Sequence, residues 1–590
     1  MTHGFAPLPS DHGRGRGKIV RSLAPDASDT GKHRDLCTKM EMPQIFAEKS
    51  SDHRLKEYRS NFQIQETRNL TLYMGLLFVD IVAGYVMRML VTYLTDVWKL
   101  SLVHATSIVN IWEGAAKALP LAVALLSNTF WFIGRARVLM LCNLAYAIGL
   151  GLLTLSTPPL LGHSTGTCTH YQAECIGTTQ KILFFTALPL VAVGMASISF
   201  VFAAISEVVG EEELTQEEVY SSHSLLLLPN YIGGVTFSYI KPWSVRFGIP
   251  AICCVVITMC YMSFCCLDIA LLTSGDWVEE SPLTKVIRVF VASASKVYHK
   301  LDGFELYEKT NTPSLPRTRW LRCLDKAAII LPNKSRDEQE NDKWTLCTVT
   351  EVEETKAAIR MAPLCLSFII GGVVVSIGNS FFLEQANHLN PQLGKLKVSF
   401  TLLLVLYDMV KAPLSKIRLP LRLGTSVAIL FSVLCCITAA KVENRRLHAI
   451  IAHNLLDRPD DRVPMTLFWM VPQYVLLAVV DSFLEQNVKL FFQRMIPTSS
   501  LLYLSLFTRA VTGIGIMGGV LSVFVVGKLS ERGGKLNWFQ STLNRSRLDK
   551  YYWTVAALSA ASLVFYILLS SCYKEPQTEA EAEAEASSRP

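Results

Sequence analysis

Residues 75–96 read GLLFVDIVAGYVMRMLVTYLTD, and this stretch decides the fold class. It is long enough to cross a bilayer as a helix, which takes about 20 apolar residues. Asp80 and Arg88 are the only charges inside it before Asp96 closes it. They stand eight residues apart, roughly on one side of a helix. The same pattern recurs along the chain, in about twelve runs centred near Val82, Ala115, Tyr146, Val193, Ile232, Ile257, Ile370, Val405, Phe431, Val475, Gly518 and Ser562. The weakest are the run near Ile232, interrupted by Pro229, and the run near Val405, interrupted by Asp408 and Lys411. The composition agrees: 51% of the 590 residues are hydrophobic and 18% are charged, against roughly 25% in soluble domains. The expectation is an all-α membrane protein with about 12 transmembrane helices, and soluble, fibrous and disordered classes are excluded.

Charge outside the runs sets the organisation. The sequence divides into a polar arm (1–67), a first bundle of six helices (68–273), a basic linker (274–356), a second bundle of six (357–573) and an acidic tail (574–590). Arg135 and Arg137, then Lys416, Arg418 and Arg422, then Arg494 fall in short loops on one side. By the positive-inside rule both termini and the linker are cytoplasmic. The arm lacks the apolar core of a signal peptide and reads as disordered. Two halves joined by a long loop suggest rocking about a central cavity. A net charge of +7 reflects this loop bias and gives no reason to expect nucleic acid as a partner.

Most of the 15 Cys lie in apolar runs and read as small hydrophobes. Cys168 and Cys175 stand in a polar loop, where they are either free thiols or a disulfide facing an oxidising compartment. No metal-ligand spacing and no Walker A string is present, so neither metal, cofactor nor ATP-driven pumping is expected. No nucleophile–base constellation suggests an enzyme. Asn544 in NRS is a candidate glycan acceptor; Asn69 and Asn333 match the motif on the cytoplasmic side.

Several strings carry a family resemblance: WTLCTVTEVEETKAAIRMAP at 344–363, SPLTKVIRVFVAS after the sixth run, LDKAA at Leu324, FGIP at Phe247, VPQYVLLAVVDSF at 471–483 and DKYYWTVAALS at Asp549. In order and spacing, from about residue 70 to 573, the chain resembles the plant nitrate/peptide transporters. These are the plant branch of the proton-dependent oligopeptide transporters within the major facilitator superfamily. The resemblance implies the major facilitator fold of two six-helix bundles, alternating access, and transport of nitrate, peptides or hormone-like metabolites, commonly driven by protons.

Charges inside a bilayer are costly, so those that remain are functional candidates. The family's ExxER motif is reduced here to Asp80 in LFVDIVAGY, a candidate for the coupling proton or else a partner to a basic residue. NIWEGAAKALP resembles the family's NxWxGTxYxxP, with Lys117 at a cavity-facing tyrosine and Glu113 one turn before it. Lys117 therefore awaits an anionic substrate, or is neutralised by Glu113. GMASISF puts Ser199 where peptide-transporting members often carry lysine. In VVDSFLEQNVK, Asp481, Glu485 and Lys489 share a stripe, and Asp481 stands at the family's Glu. Asp481 is the second candidate for the proton, whereas Glu485 is expected to pair with Lys489. Asp408 and Lys411 are expected to pair within their helix. LSNTFWFIGR resembles the facilitator loop ADxxLGR, which makes Asn128 and Arg135 gating candidates.

The expected function is therefore a secondary transporter of a small anionic solute, binding it through Lys117, Arg88, Ser199 and Glu113. It works by proton symport or uncoupled movement, in the plasma or vacuolar membrane. The alternative is a transport-inactive sensor on a transporter scaffold, suggested by the degenerate motifs. Retained intramembrane charge favours transport.

Overall fold

The computed structural model describes residues 72, 74–129, 135–158, 176–209, 235–237, 239–267, 282–299, 305–308, 318, 320–332, 335–342, 344–393, 395–495 and 501–572. Its helices are α1 (Met74–Asp96), α2 (Leu102–Thr129), α3 (Arg135–Leu155), α4 (Thr178–Val209) and α5 (Trp243–Leu267). Next come α6 (Pro282–Ser295), α7 (Val349–Met361) and α8 (Cys365–Ile377), which runs on through a π-helical turn at Gly378–Phe382 to Leu383–His388. Then follow α9 (Leu402–Leu414), α10 (Leu421–Ala452), α11 (Val471–Met495), α12 (Leu501–Ser530) and α13 (Leu548–Cys572).

Ten helices among the described residues are long and apolar enough to cross a membrane. The run near Ile232 lies outside the described residues. The run near Val405 forms α9, whose 13 residues span only about 20 Å at 1.5 Å per residue. It starts late because the preceding segment is spent on a small hairpin, with Gln392–Leu393 paired antiparallel to Leu396–Lys397. It stops at Pro413, within its last turn.

Each half has its own core. In the first, α3 packs on α4 and α5, and α4 lies so close to α3 that a Cβ on Gly194 would meet Tyr146 Cβ at 2.2 Å. In the second, α10 packs on α11 and α13, α8 on α12, and α9 on α11. The halves join where α2 crosses α12. There a Cβ on Gly114 would stand 2.6 Å from Gly513 O, and one on Gly513 2.5 Å from Gly114 O, so only glycine permits the crossing. Large apolar side chains such as Ile252, Met259, Leu521, Phe524 and Leu568 are exposed along the helices, as expected of surfaces solvated by lipid.

Between α5 and α8, helix α6 packs on a 3-10 turn at Leu324–Ala328 and on α7. Thr348 and Glu351 form a reciprocal capping box that starts α7. Lys356 is buried here between Asp325 (2.5 Å) and Glu353 (2.7 Å), and Arg288 pairs with Glu351.

Candidate functional site

A cavity of about 340 Å³ lies between the halves, within the size range of small-molecule sites. It is walled by α1 and α2 from the first half and by α8, α9, α11 and α12 from the second, with Met195 of α4. Five carboxylates line it (Asp80, Glu113, Asp408, Asp481, Glu485), together with four cations (Arg88, Lys117, Lys411, Arg509). Trp112, Tyr407, Tyr474 and Leu477 supply apolar and aromatic wall.

The charges are arranged in pairs. Lys117 Nζ is 3.3 Å from Glu113 Oε1, the i,i+4 pair expected from spacing. Asn379 of the second half donates from Nδ2 to the same Glu113 oxygen at 2.8 Å. Asn379 reaches it because the π turn inserts an extra residue into the helix, a device common at functional sites. The same turn aims Ser380 at Asn110, whose Nδ2 donates to Ser380 Oγ at 3.3 Å. Nothing in the local sequence announces this turn, so Asn379 was beyond sequence reasoning.

Arg88 crosses to the second half and donates through Nη1 to both oxygens of Asp408, at 3.0 and 3.1 Å. The expected Asp408–Lys411 pair is therefore corrected. Lys411 turns instead to α11, with Asp481 at 2.9 Å and Glu485 at 3.1 Å. Glu485, expected to pair with Lys489 on its own helix, is thus also reached by a lysine from α9. Tyr407 O–H also donates to Asp481. Asp80 lies on the wall with Oδ1 buried and lacking a hydrogen-bond partner, and it feels Arg509, Tyr146 and Arg88.

Of the sequence candidates, the cavity thus gathers Lys117, Glu113, Arg88, Asp80 and Asp481. Ser199 is buried and is not among the lining residues. Asn128 lies within α2 and Arg135 begins α3, but their side chains fall outside what is described, as do Cys168 and Cys175. Lys411, read from the sequence only as a partner of Asp408, and Arg509, not singled out there, are lining cations too. The signal for Arg509 was present, since it is a lone arginine in the apolar run of α12. Asn544 is corrected as a glycan acceptor: it is 1% exposed, donates to Leu455 O and accepts from Arg446.

Among the described residues, no cluster of His, Cys, Asp or Glu has metal-site geometry. Residues 136–539 match the profile described as "PTR2: POT family". The Arabidopsis thaliana protein called NRT1/PTR family 5.5 is 34% identical over 519 residues, 83% of this chain and 94% of that relative. NRT1/PTR family 5.10 of the same plant is 28% identical, over 82% and 88%. Among solved structures, an auto-inhibited POT family peptide transporter superposes with a TM-score of 0.53 at 15% identity, covering 86% of this chain and 97% of that one. The POT family transporter PepTSo gives 0.53 at 13% identity, over 86% and 98%. At these identities the structural likeness is one of fold, and the fold is that of the major facilitators.

Proposed function

Starting from the premise that this chain belongs to the POT family and is a multi-pass secondary transporter, we propose that it carries a small oxyanion, nitrate or a carboxylate-bearing metabolite, together with a proton. The observation that carries this reading is the Lys117–Glu113 pair on the cavity wall, with side chains 28% and 20% exposed. Glu113 is a tethered carboxylate held by a lysine and an amide N–H. A free oxyanion fits the same donors once Glu113 lets go. A proton delivered to Glu113 neutralises it and releases Lys117, so anion and proton enter together without leaving an uncompensated charge. With five lining carboxylates against four cations, an anion entering without a proton adds to an existing excess of negative charge.

Asp80 serves as a further proton acceptor in this scheme, because its buried oxygen has room for one. Asp481 has a smaller part, being held by Lys411 and Tyr407. Arg88 is a substrate contact only when it exchanges Asp408 for the anion. Ser199 has no direct part. Asn128 and Arg135 act at the gate of the loop they flank. The domain boundaries, cytoplasmic termini and linker, and a plasma or vacuolar membrane location, belong to the same proposal.

The test is uptake of labelled nitrate, a dipeptide and a hormone-like carboxylate into proteoliposomes at two external pH values. Faster uptake at the lower pH, and a loss of about tenfold or more in Lys117→Ala, are expected, since charge-assisted hydrogen bonds contribute about 1.5–3 kcal/mol. Uptake equal to that of empty vesicles across the panel overturns the transport reading in favour of a scaffold. Uptake indifferent to pH removes the proton and leaves a facilitator.

A further inference from the structure

Helix α10 has 32 residues and is about 48 Å long at 1.5 Å per residue, well beyond a hydrocarbon core of roughly 30 Å. It packs on α11 and α13, which leaves one side of it to the surroundings. Leu423, Leu430 and Leu434 are exposed on that side, at helical spacing. The same stripe continues as Lys441, Arg445 and His448, all exposed, with the exposed Asn444 beside them. An apolar face thus turns cationic without leaving its line. The change comes about 20 residues after Leu421, where a span beginning there passes from hydrocarbon into the head groups.

Other cations around this end of α10 are already engaged. Arg446 is enclosed by Glu443 and Asn544. Lys99 pairs with Asp460, Arg545 with Asp457 and Arg547 with Asp549. Among the described residues, no carboxylate pairs with Lys441, Arg445 or His448. Arg445 lies instead over Trp469, its guanidinium carbon 3.7 Å from the ring centroid, close enough to stack. A stacked guanidinium is held by its face and keeps its in-plane N–H donors for another partner. Trp469 and Phe468 are both exposed in the 3-10 turn that leads into α11. Aromatic side chains in such a place mark the level of the membrane interface.

We infer that Lys441, Asn444, Arg445 and His448 hold the phosphodiester of an anionic phospholipid, in the leaflet at this end of α10, with an acyl chain lying along Leu434 and Leu430. Lys441 supplies a point charge and Arg445 a fixed fork of donors matched to two phosphate oxygens. Asn444 and His448 add N–H donors from the same face. Leu434 and Leu430 stand about 10 and 16 Å from Lys441 toward the opposite leaflet, within the depth of one acyl chain. That apolar continuation selects a lipid over a free phosphate, which makes no use of it. A zwitterionic head group brings its own ammonium, which Lys441 and Arg445 repel, so the preferred lipid carries net negative charge. In the topology proposed above, this leaflet is the one away from the cytoplasm. The site shares no residue with the cavity.

The experiment is native mass spectrometry of the full chain, delipidated in detergent and titrated with dioleoyl phosphatidylglycerol, dioleoyl phosphatidylcholine or inorganic phosphate. The wild type is expected to retain one more tightly bound phosphatidylglycerol than the double variant Lys441→Gln, Arg445→Gln. The affinity of that lipid falls by about tenfold or more in the variant, as the loss of charge-assisted hydrogen bonds implies. Phosphatidylcholine binds both proteins alike, and inorganic phosphate does not displace the extra phosphatidylglycerol. Equal phosphatidylglycerol binding by the two proteins overturns the site. Equal loss of both lipids in the variant overturns the anionic head group, and displacement by phosphate overturns the lipid in favour of a soluble anion. Either single variant gives a smaller loss and decides the matter alone should the double variant fail to fold. Lys117→Ala keeps the lipid while losing uptake, so the lipid site and the anion site fail or stand separately.

Discussion

The cavity and the two buried ion clusters of the second half and linker use the same chemical groups under different conditions of solvation. Arg446 is 1% exposed and Glu443 0%; they share two hydrogen bonds, and Asn544, Leu543 O and Gln385 take up the remaining valences. Lys356 is as completely enclosed, between Asp325 and Glu353. In the cavity, Arg88 is 38% exposed and its partner Asp408 13%, while Lys411 divides itself between two carboxylates. A saturated, dry pair has no alternative partner and serves to fix helices. A wet pair on a cavity wall exchanges partners at little cost, which is what a transported ion requires.

Removing one member of each kind breaks or sharpens that contrast. The largest effect is expected from Arg446→Leu, which strands Glu443 in the core. Losing one partner of a buried pair costs about 3–5 kcal/mol, read as a large drop in thermal midpoint in detergent and poor expression. A normal melt would mean that this network is as replaceable as the cavity pairs. Asp408→Asn should leave the melt nearly unchanged but free Arg88 toward the cavity. The half-saturating anion concentration in uptake should then fall by roughly threefold to tenfold, about 1 kcal/mol of added hydrogen bonding. Unfolding of that variant would place Arg88–Asp408 with the structural pairs.

The smallest effect concerns Lys296, a buried amine in the linker that donates to Ala327 O (3.2 Å) and Ile329 O (2.7 Å). Burial lowers its pKa to about 8. The unfolded chain therefore binds more protons between about 8 and the ordinary lysine value of about 10.4, and stability rises with pH through that window. The difference in thermal midpoint between wild type and Lys296→Met, followed across the window, reads this term. A difference that does not change with pH would show that Lys296 keeps its proton.

How legible the site was depended on the kind of signal. Asp80, Arg88, Glu113, Lys117 and Asp481 could be picked out because charge inside an apolar run is conspicuous one residue at a time, and all five line the cavity. Their partners were another matter. Spacing on one helix correctly paired Glu113 with Lys117, but it gave Asp408 to Lys411 where Arg88 of the other half holds it, and it did not show that Lys411 reaches Glu485. An intrahelical pair is always within reach, so spacing alone favours it even when a neighbouring helix offers a closer carboxylate. Asn379 depends on the π turn of α8, and its neighbour Glu113 does not show in the sequence around it.

By itself, then, the sequence determined that the chain crosses a membrane repeatedly, that it is built on the major facilitator plan, and which charges remain inside the apolar runs. Those properties are carried by local runs and family strings. The tertiary structure alone decided which half each charge answers to, because Arg88 with Asp408 is separated by 320 residues and Asn379 with Glu113 by 266. It also decided that α1 and α8 end together, bringing Asn387 against Asp96. Helix crossings such as Gly114 on Gly513 set those meetings, and a crossing is a property of two surfaces that no single run contains.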